Sequence, residues 1–237
     1  MRVTFLAHDG FLIELNTVCL LFDWWKEPIP PLPDKPLLVL ISHRHEDHFN
    51  PEVFTLAERK ADIQFLLGSD FHLLSRNLEK WRLTPEAAAK CRRCGKHDVF
   101  QPLPAVTVET FPSTDEGVAW MVTAEDKAIF HAGDLNWWHW AEEGDAWNRN
   151  MEANFKRYTE PLRGRRADLA MLPLDPRLES GGYLGPDYFL GLMDVRRFFP
   201  MHQWDHFEFT DEFLKRYPQF APITVKIHHN LETFQLD

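Results

Sequence analysis

Short apolar segments separated by turn residues dominate the start of the chain and predict a meander of strands. Residues 3–6, 11–15 and 19–22 each have the length and composition of a strand. The unbroken apolar run at residues 37–41 predicts a further strand that is buried on both faces. The first part of the chain is therefore expected to be rich in β-structure.

The rest of the chain alternates between helical and strand-like segments. Pro51 predicts the start of a helix that ends near residue 60, because proline suits the first helical turn. Residues 137–163 are aromatic and then helical in pattern, and residues 187–197 and 211–216 predict two further helices. Strands are predicted at residues 63–67, 106–111, 118–123, 128–131, 169–172, 198–201, 223–227 and 233–236. This order fits two packed sheets with helices outside.

The composition is that of a globular protein and argues against several other classes. The chain has 237 residues, of which 44% are apolar and 14% aromatic, enough for one large domain or two small ones. No segment resembles a signal peptide, and no apolar run reaches the roughly 20 residues of a membrane-spanning helix. We therefore expect a soluble, cytoplasmic protein. A formal net charge of −10 argues against a nucleic-acid partner, because phosphate binding needs a basic surface.

Residues 42–49, Ser-His-Arg-His-Glu-Asp-His-Phe, form the most informative segment of the chain. His43, His45, Asp47 and His48 follow the predicted strand at residues 37–41 directly, and imidazoles and carboxylates are ligands of zinc, iron and manganese. Side chains two residues apart on an extended segment point the same way, so His43 and His45 can bind one ion. After a turn, Asp47 and His48 can face a second ion. The alternative is a chance cluster of polar loop residues.

This segment resembles the His-x-His-x-Asp-His signature of the metallo-β-lactamase superfamily, and other segments match that family in order. Residues 6–14 and 21–24 are similar to the first hairpin of its lactonase-like and phosphodiesterase-like branch. Residues 130–134, Phe-His-Ala-Gly-Asp, are similar to its Gly-Asp segment, and residues 200–202 resemble its late strand-end histidine. The resemblance implies one hydrolase domain over residues 1–237 with an α+β fold, the αββα four-layer sandwich.

The resemblance also implies a set of metal ligands contributed by three segments of the chain. The expected ligands are His43, His45, Asp47, His48, Asp134 and His202. In this arrangement the first two histidines bind one ion, Asp47, His48 and His202 bind the other, and Asp134 bridges the two. The cofactor is expected to be one or two divalent transition-metal ions, with zinc the first choice and manganese or iron the alternatives.

The implied activity is metal-dependent hydrolysis of a small molecule. A metal lowers the pKa of bound water to about 7, and the resulting hydroxide attacks a carbonyl or phosphoryl centre. Asp47 and Asp134 are the candidate catalytic residues, and the opening hairpin favours a lactone, ester or phosphodiester substrate. Two alternatives remain: a nuclease of the same fold, which the acidic charge disfavours, and a metal-binding relative without turnover. The sequence does not set the oligomeric state.

One expected ligand is absent, and one further histidine is a candidate for the site. The family usually places a histidine between the first motif and the Gly-Asp segment, whereas residues 111–118 read Phe-Pro-Ser-Thr-Asp-Glu-Gly-Val. Asp115 or a hydroxyl replaces it, or the first ion position is weak or empty; a carboxylate would favour manganese or iron. His8 follows a strand predicted to end near the site, where it either contacts metal-bound water or substrate or is structural.

Cys91 and Cys94 resemble half of a zinc knuckle that His72 or His97 would complete. With three cysteines in the chain and no second cysteine pair, a reduced loop is the favoured interpretation. Residues 70–98 otherwise predict a helix and a loop and little else.

Several aromatic side chains lie close to the predicted site in sequence. Four tryptophans follow the Gly-Asp segment, at Trp137, Trp138, Trp140 and Trp147. They are expected either to pack against a helix or to form an aromatic wall for a substrate.

His131 lies three residues before Asp134 on a strand, so it is expected to point to the other face and belong to the core.

Overall fold

The computed structural model describes residues 1–236 and contains two large sheets. Its strands, in chain order, are β1 (Arg2–Ala7), β2 (Gly10–Glu14), β3 (Cys19–Phe22), β4 (Leu37–Ile41), β5 (Ile63–Leu67), β6 (Cys91–Arg93), β7 (Val99–Leu103), β8 (Val106–Pro112), β9 (Val118–Ala124), β10 (Lys127–His131), β11 (Arg166–Ala167), β12 (Leu169–Pro173), β13 (Asp194–Val195), β14 (Phe198–Met201) and β15 (Thr233–Gln235). Its α-helices are α1 (Ser75–Lys80), α2 (Pro85–Ala88), α3 (Asp145–Thr159), α4 (Leu184–Leu192) and α5 (Phe209–Arg216). Short 3₁₀ segments lie at Pro51–Glu58, Glu160–Leu162, Pro176–Tyr183 and Pro218–Phe220.

The two sheets have related arrangements of antiparallel and parallel strands. The first has the order β15-β1-β2-β3-β4-β5-β6, and the second has the order β14-β12-β10-β9-β8-β7. In the first sheet β3, β4, β5 and β6 are parallel, and in the second β10, β12 and β14 are parallel. β11 and β13 form a small separate parallel pair.

Two apolar clusters separate the layers of the molecule. One lies between the sheets, where Leu38 and Leu40 of β4 meet residues of the second sheet such as Trp120. The other covers the opposite face of the first sheet, where Val39 packs in a cluster with Phe54 of the 3₁₀ segment Pro51–Glu58. Because both of its faces are covered, β4 is buried throughout, as its continuous apolar sequence predicts. The predicted αββα sandwich is confirmed.

Four predicted segments differ from the structure. Residues 70–98 hold α1, α2 and the strand β6 where one helix and a loop were expected. The helix opened by Pro51 is a 3₁₀ helix, Pro51–Glu58, which ends two residues before the predicted end near residue 60. The helix predicted at residues 187–197 lies at Leu184–Leu192 and ends at the extended Met193, because Asp194–Val195 pairs with β11. The strand predicted at residues 223–227 is wrong. This segment pairs with β14 through one isolated bridge, between Thr224 and Phe198, and forms no ladder.

The described residues contain no helix with the length and apolar character needed to cross a membrane.

Candidate metal centre

The candidate site lies where strands of both sheets end. Asp23 follows β3, His43 follows β4, Asp134 follows β10 and His202 follows β14, each by no more than a few residues. Parallel strands bring their carboxyl ends to one edge of a sheet, which is where open α/β sheets place their ligand sites. The packing of the two sheets therefore gathers polar side chains from distant parts of the chain at one edge.

A close backbone approach at Ser42 fixes the loop that follows β4. A Cβ on Gly117, which has a φ of +70°, would lie 1.9 Å from the Ser42 carbonyl oxygen. A Cβ on Gly133, which has a φ of +50°, would lie 2.7 Å from the Ser42 Cβ. Glycine alone avoids both the collision and the left-handed backbone strain at these positions. The two glycines let the second sheet pack directly against Ser42, the first residue of the segment 42–49.

Five side chains next to Asp134 form a cluster that we call the deep cluster, made of His8, Asp9, Asp47, His48 and His202. The Asp134 Oδ1 atom lies 3.3 Å from the Nε2 of His48 and 3.5 Å from the Nε2 of His202. The Asp47 Oδ2 atom lies 3.4 Å from the Nε2 of His8 and 4.0 Å from the Nε2 of His202. The three ligands predicted for the second ion are thus brought together, and His8 joins them.

Three side chains on the opposite oxygen of Asp134 form the outer cluster, made of His43, His45 and Asp115. The His43 Nε2 atom lies 3.4 Å from the Asp134 Oδ2 and 3.0 Å from the His45 Nδ1. The His45 Nδ1 atom lies 3.8 Å from the Asp115 Oδ2, and these two side chains are 44% and 45% exposed. Asp115 therefore lies beside the two histidines of the first motif, where the sequence lacks the expected histidine.

Three imidazoles are held by their Nδ1 atoms, so that Nε2 faces the clusters. The Nδ1 of His48 lies 2.9 Å from the Asp23 carboxylate, and the Nδ1 of His202 lies 2.9 Å from the Asp175 carboxylate. The Nδ1 of His43 lies 2.9 Å from the Ser42 hydroxyl, which itself donates to Asp23. Such partners place the proton on Nδ1 and leave the Nε2 lone pair available to a metal.

The buried carboxylates and imidazoles of the site shift one another's pKa values. Burial tends to raise the pKa of Asp134, but the imidazoles of His48, His43 and His202 hold it well below its usual value. Burial tends to lower the pKa of His48, but Asp134 and Asp9 raise it well above its usual value. The pKa of His202 is raised in the same way, by Asp9 and Asp134 against the effect of burial. Without an ion, protons on these histidines would have to balance the buried carboxylates.

Several buried polar atoms of this site have no hydrogen-bond partner. They are the Nε2 atoms of His8 and His48, both carboxylate oxygens of Asp9 and the Oδ1 of Asp134. Buried polar atoms are normally paired, so unpaired ones need an explanation such as an ion. Three groups of candidate ligands have all donor atoms within 4.8 Å of one another: His8, Asp9, His48 and His202; His43, His48 and Asp134; and His45, Asp115 and Asp134. Donors of this chemistry fit divalent transition metals.

An open cavity of about 470 Å³ lies over the clusters. Asp47, Asp115, Asp134 and other site residues form its floor, and Trp138, Trp140 and Trp147 with Met151 form its wall. Trp137 is not part of this wall, because its ring packs near Phe155 and Tyr188. Trp137 therefore packs against helices, as one interpretation expects, whereas the other three tryptophans line the cavity, as the other interpretation expects.

The remaining candidates do not belong to the groups of described residues that could hold a metal. His131 is fully buried, stacks on Phe22 and contacts the carbonyl oxygen of Asp9 through Nε2, as a core residue would. Cys91 and Cys94 are unpaired, and burial raises the pKa of each thiol to about 12. Among the described residues, the groups that could hold a metal include no cysteine.

Sequence reasoning missed three carboxylates of the site: Asp9, Asp23 and Asp175. Asp9 has no exposed surface and lies on the turn between β1 and β2, whereas Asp23 and Asp175 hold His48 and His202. Each lies within two residues of the end of a strand: Asp9 after β1, Asp23 after β3 and Asp175 after β12. The position of Asp23 after β3 and of Asp175 after β12 was the available signal, because parallel strand ends meet at the site.

Comparisons with known proteins agree with this geometry. Residues 2–146, more than half of the chain, match the family described as the beta-lactamase superfamily domain. A metal-dependent hydrolase of Desulforamulus reducens is 37% identical over 67 residues, which are 27% of this chain and 29% of that protein. The match therefore spans less than a third of this curated relative.

Solved structures share the fold at low sequence identity. A metallo hydrolase of Ignicoccus hospitalis has a TM-score of 0.65 at 17% identity, covering 100% of this chain and 99% of its own. A diiron beta-hydroxylase of Streptomyces venezuelae, CmlA, has a TM-score of 0.65 at 10% identity, covering 99% of this chain and 54% of its own. The family match and the shared fold confirm the resemblance found in the sequence, and the chain belongs to the metallo-β-lactamase superfamily.

Proposed function

We propose that the protein is a metal-dependent hydrolase that cleaves a lactone, ester or phosphodiester linkage in a small molecule. The observation that carries the proposal is the convergence of buried, unpartnered imidazole and carboxylate atoms on Asp134. Buried polar atoms without partners are costly, and a bound cation gives them partners. The metal-dependent hydrolase of Desulforamulus reducens supports the same reaction type.

The two clusters would hold one or two divalent ions, zinc in the first place, with manganese or iron as alternatives. His43, His45 and Asp115 are the ligands that we assign to the outer position, and Asp47, His48 and His202 to the deep position. A divalent ion in such a site lowers the pKa of bound water to about 7 and polarises a carbonyl or phosphoryl oxygen. Asp134 offers Oδ2 to the outer cluster and Oδ1 to the deep cluster, the arrangement expected of a bridging carboxylate.

Asp47 is the residue that we assign to orienting the attacking water. Its carboxylate lies in the cavity floor, and its Oδ2 lies 3.4 Å from the Nε2 of His8. Burial tends to raise the pKa of Asp47, but the neighbouring imidazoles of His8 and His48 hold it well below its usual value. Asp47 therefore stays ionised at neutral pH and can accept a hydrogen bond from water.

The cavity supports a small substrate with an apolar or aromatic part. Its volume of about 470 Å³ lies in the range of small-molecule sites. Trp140 and Trp147 offer flat apolar surfaces, and Arg177 adds a guanidinium group at the cavity. Carboxylates in the floor and the net charge of −10 oppose a nucleic-acid polymer.

We further propose that residues 1–237 form one domain in a reducing, cytoplasmic compartment. One continuous apolar cluster includes residues from Val3 to Ile227, which supports a single domain. All three cysteines are unpaired, as is usual where thiols stay reduced.

The proposal is tested by metal analysis and by turnover on a panel of generic lactones, esters and phosphodiesters. We expect purified protein to take up metal and to hydrolyse at least one class, and His48→Asn to lose at least about a hundredfold in turnover. His206→Asn is the control, because His206 is exposed and pairs with Glu208 outside both clusters. Uptake of metal without turnover of any class would favour a non-catalytic relative, and cleavage of nucleic acid would favour a nuclease.

A second candidate function is oxidation at iron, favoured by the donors of the outer cluster. His43 and His45 are two neighbouring imidazoles, and Asp115 lies beside His45; two imidazoles and one carboxylate are the donor set of many non-haem iron oxygenases. Loading with Fe²⁺ under argon, followed by measurement of oxygen consumption, separates the two candidates. Iron-dependent oxygen uptake without hydrolysis of the panel would favour this second function.

A further inference from the structure

We propose that Asp9, on the turn between β1 and β2, is a direct ligand of the ion in the deep cluster, with His8 as a second ligand from the same turn. The proposal deepens the proposed function, on which it rests for the presence of an ion. It adds two ligands to the set that the sequence motifs supply.

The burial of Asp9 is difficult to explain without a cation. Its side chain has no exposed surface, and neither carboxylate oxygen has a hydrogen-bond partner. Two other buried carboxylates of the region are hydrogen-bonded: Asp23 accepts from Ser42, and Asp175 accepts from Arg177. A buried carboxylate without hydrogen bonds is strongly unfavourable, so it is retained where a neighbouring charge or a metal offsets its desolvation.

The surroundings of Asp9 have the spacing of ligands around one ion. Its Oδ2 atom lies 3.1 Å from the Nε2 of His8, 3.3 Å from the Nε2 of His48 and 3.9 Å from the Nε2 of His202. Two ligand atoms that each lie about 2.1 Å from a common ion are separated by about 3 to 4 Å. These contacts are therefore compatible with shared coordination.

Three imidazoles and three carboxylates take part in this arrangement. The carboxylates are Asp9, Asp47 and Asp134, and each imidazole Nε2 lies within 4.0 Å of at least two of them. Four-coordinate zinc needs fewer donors, whereas manganese and iron accept six. The geometry points to a deep position suited to an ion of high coordination number.

The turn that carries Asp9, in the first sheet, is held in place by two contacts from the second sheet. The Asp9 carbonyl oxygen contacts the His131 Nε2 at 2.9 Å, and the His8 carbonyl oxygen accepts from the His202 N–H at 3.2 Å. His8 itself has a φ of 55°, a left-handed conformation that a non-glycine residue keeps only when its surroundings impose it. A rigid turn of this kind presents its side chains at fixed positions.

Asp9→Asn tests the proposal, because ligand and structural roles predict opposite signs. Asparagine keeps the shape and removes the charge. In the metal-free protein we expect an equal or higher Tm than wild type, since a buried charge whose oxygens have no hydrogen-bond partner is removed. With Mn²⁺ or Zn²⁺ added, we expect at least about a tenfold weaker affinity by calorimetric titration for one ion and a smaller rise in Tm.

Asp168→Asn is the matched control. Asp168 is buried like Asp9, but it accepts from the Ala128 N–H and pairs with Arg166, and neither partner belongs to the two clusters. We expect it to lower the Tm of the metal-free protein and to leave metal affinity unchanged. Wild-type metal affinity in Asp9→Asn, or a lowered metal-free Tm like that of the control, would overturn the proposal while leaving the proposed function intact. A wild-type protein that binds neither ion would overturn the proposed function itself.

Discussion

At the scale of single residues, Asp134 has the position with the greatest consequence for chemistry. Its two carboxylate oxygens face different clusters, Oδ2 toward His43 and Oδ1 toward His48 and His202. A neutral imidazole has one lone pair and cannot bridge two ions, whereas a carboxylate can. Asp134 does not cap a helix, because the next α-helix among the described residues begins at Asp145.

We predict that Asp134→Asn lowers hydrolytic turnover by at least about a hundredfold, a few kcal/mol of barrier. Asparagine keeps the size of the side chain but offers one oxygen, so one cluster loses its carboxylate. The fold should persist, which circular dichroism can check. Metal content and turnover close to wild type would contradict the bridging role.

The residues of the site differ in how far the sequence could predict them. His43, His45, Asp47 and His48 could be recognised because their spacing is local and follows a buried strand. Asp9 could not be recognised in this way. Its neighbours His48, in the loop after β4, and His202, after β14, are distant in sequence and meet it only in the folded protein. Asp115 was a candidate by default, and its contact with His45 depends on how the loop after β8 packs.

At the scale of elements, the loop after β4 depends on two glycines of the second sheet. Gly117 precedes β9, and the Val118 N–H donates to the Ser42 carbonyl oxygen at 3.1 Å. A side chain at Gly117 would push against this carbonyl and against the Cβ of His43, 2.7 Å away. The position of His43 therefore depends on how the two sheets pack.

We predict that Gly117→Ala destabilises the protein by about 1–3 kcal/mol and weakens metal binding, because the added Cβ is both overpacked and at positive φ. Gly191→Ala is the control: it lies in α4 with open space around it, so the same change should stabilise by about 0.5–1 kcal/mol. Urea unfolding and metal titration of both variants measure the difference. Equal effects of the two substitutions would argue against the packing constraint.

Predicted elements were most accurate where burial on one or both faces imposes a clear pattern. β3, β4 and β5 have the bounds that their apolar runs predict. The error at residues 187–197 arose because Asp194–Val195 leaves the helix to pair with β11, a long-range contact with no local signal. The strand expected at residues 223–227 is likewise absent because of a long-range contact: the segment meets β14 at one residue only.

At the scale of the whole molecule, the two clusters differ in their access to solvent. His48 and His202 are buried by both sheets, whereas His45 and Asp115 are nearly half exposed. The deep cluster also has more donors than the outer cluster. Burial and donor number should both slow the loss of an ion.

We predict that stepwise chelation removes an ion from the outer cluster well before the deep cluster. Metal analysis after dialysis against increasing chelator should give two separate steps, and His45→Ala should abolish the weaker step alone. Simultaneous loss of both ions at one chelator concentration would speak against unequal positions.

One contact described above has a consequence for how the site responds to a substrate. The Asp175 carboxylate accepts from the His202 Nδ1 and, on the same oxygen, from Arg177, whose guanidinium lines the cavity. A substrate group that attracts Arg177 alters the charge that Asp175 presents to His202. The affinities for substrate and ion are thereby thermodynamically linked, and by reciprocity each ligand must change the affinity for the other by the same factor.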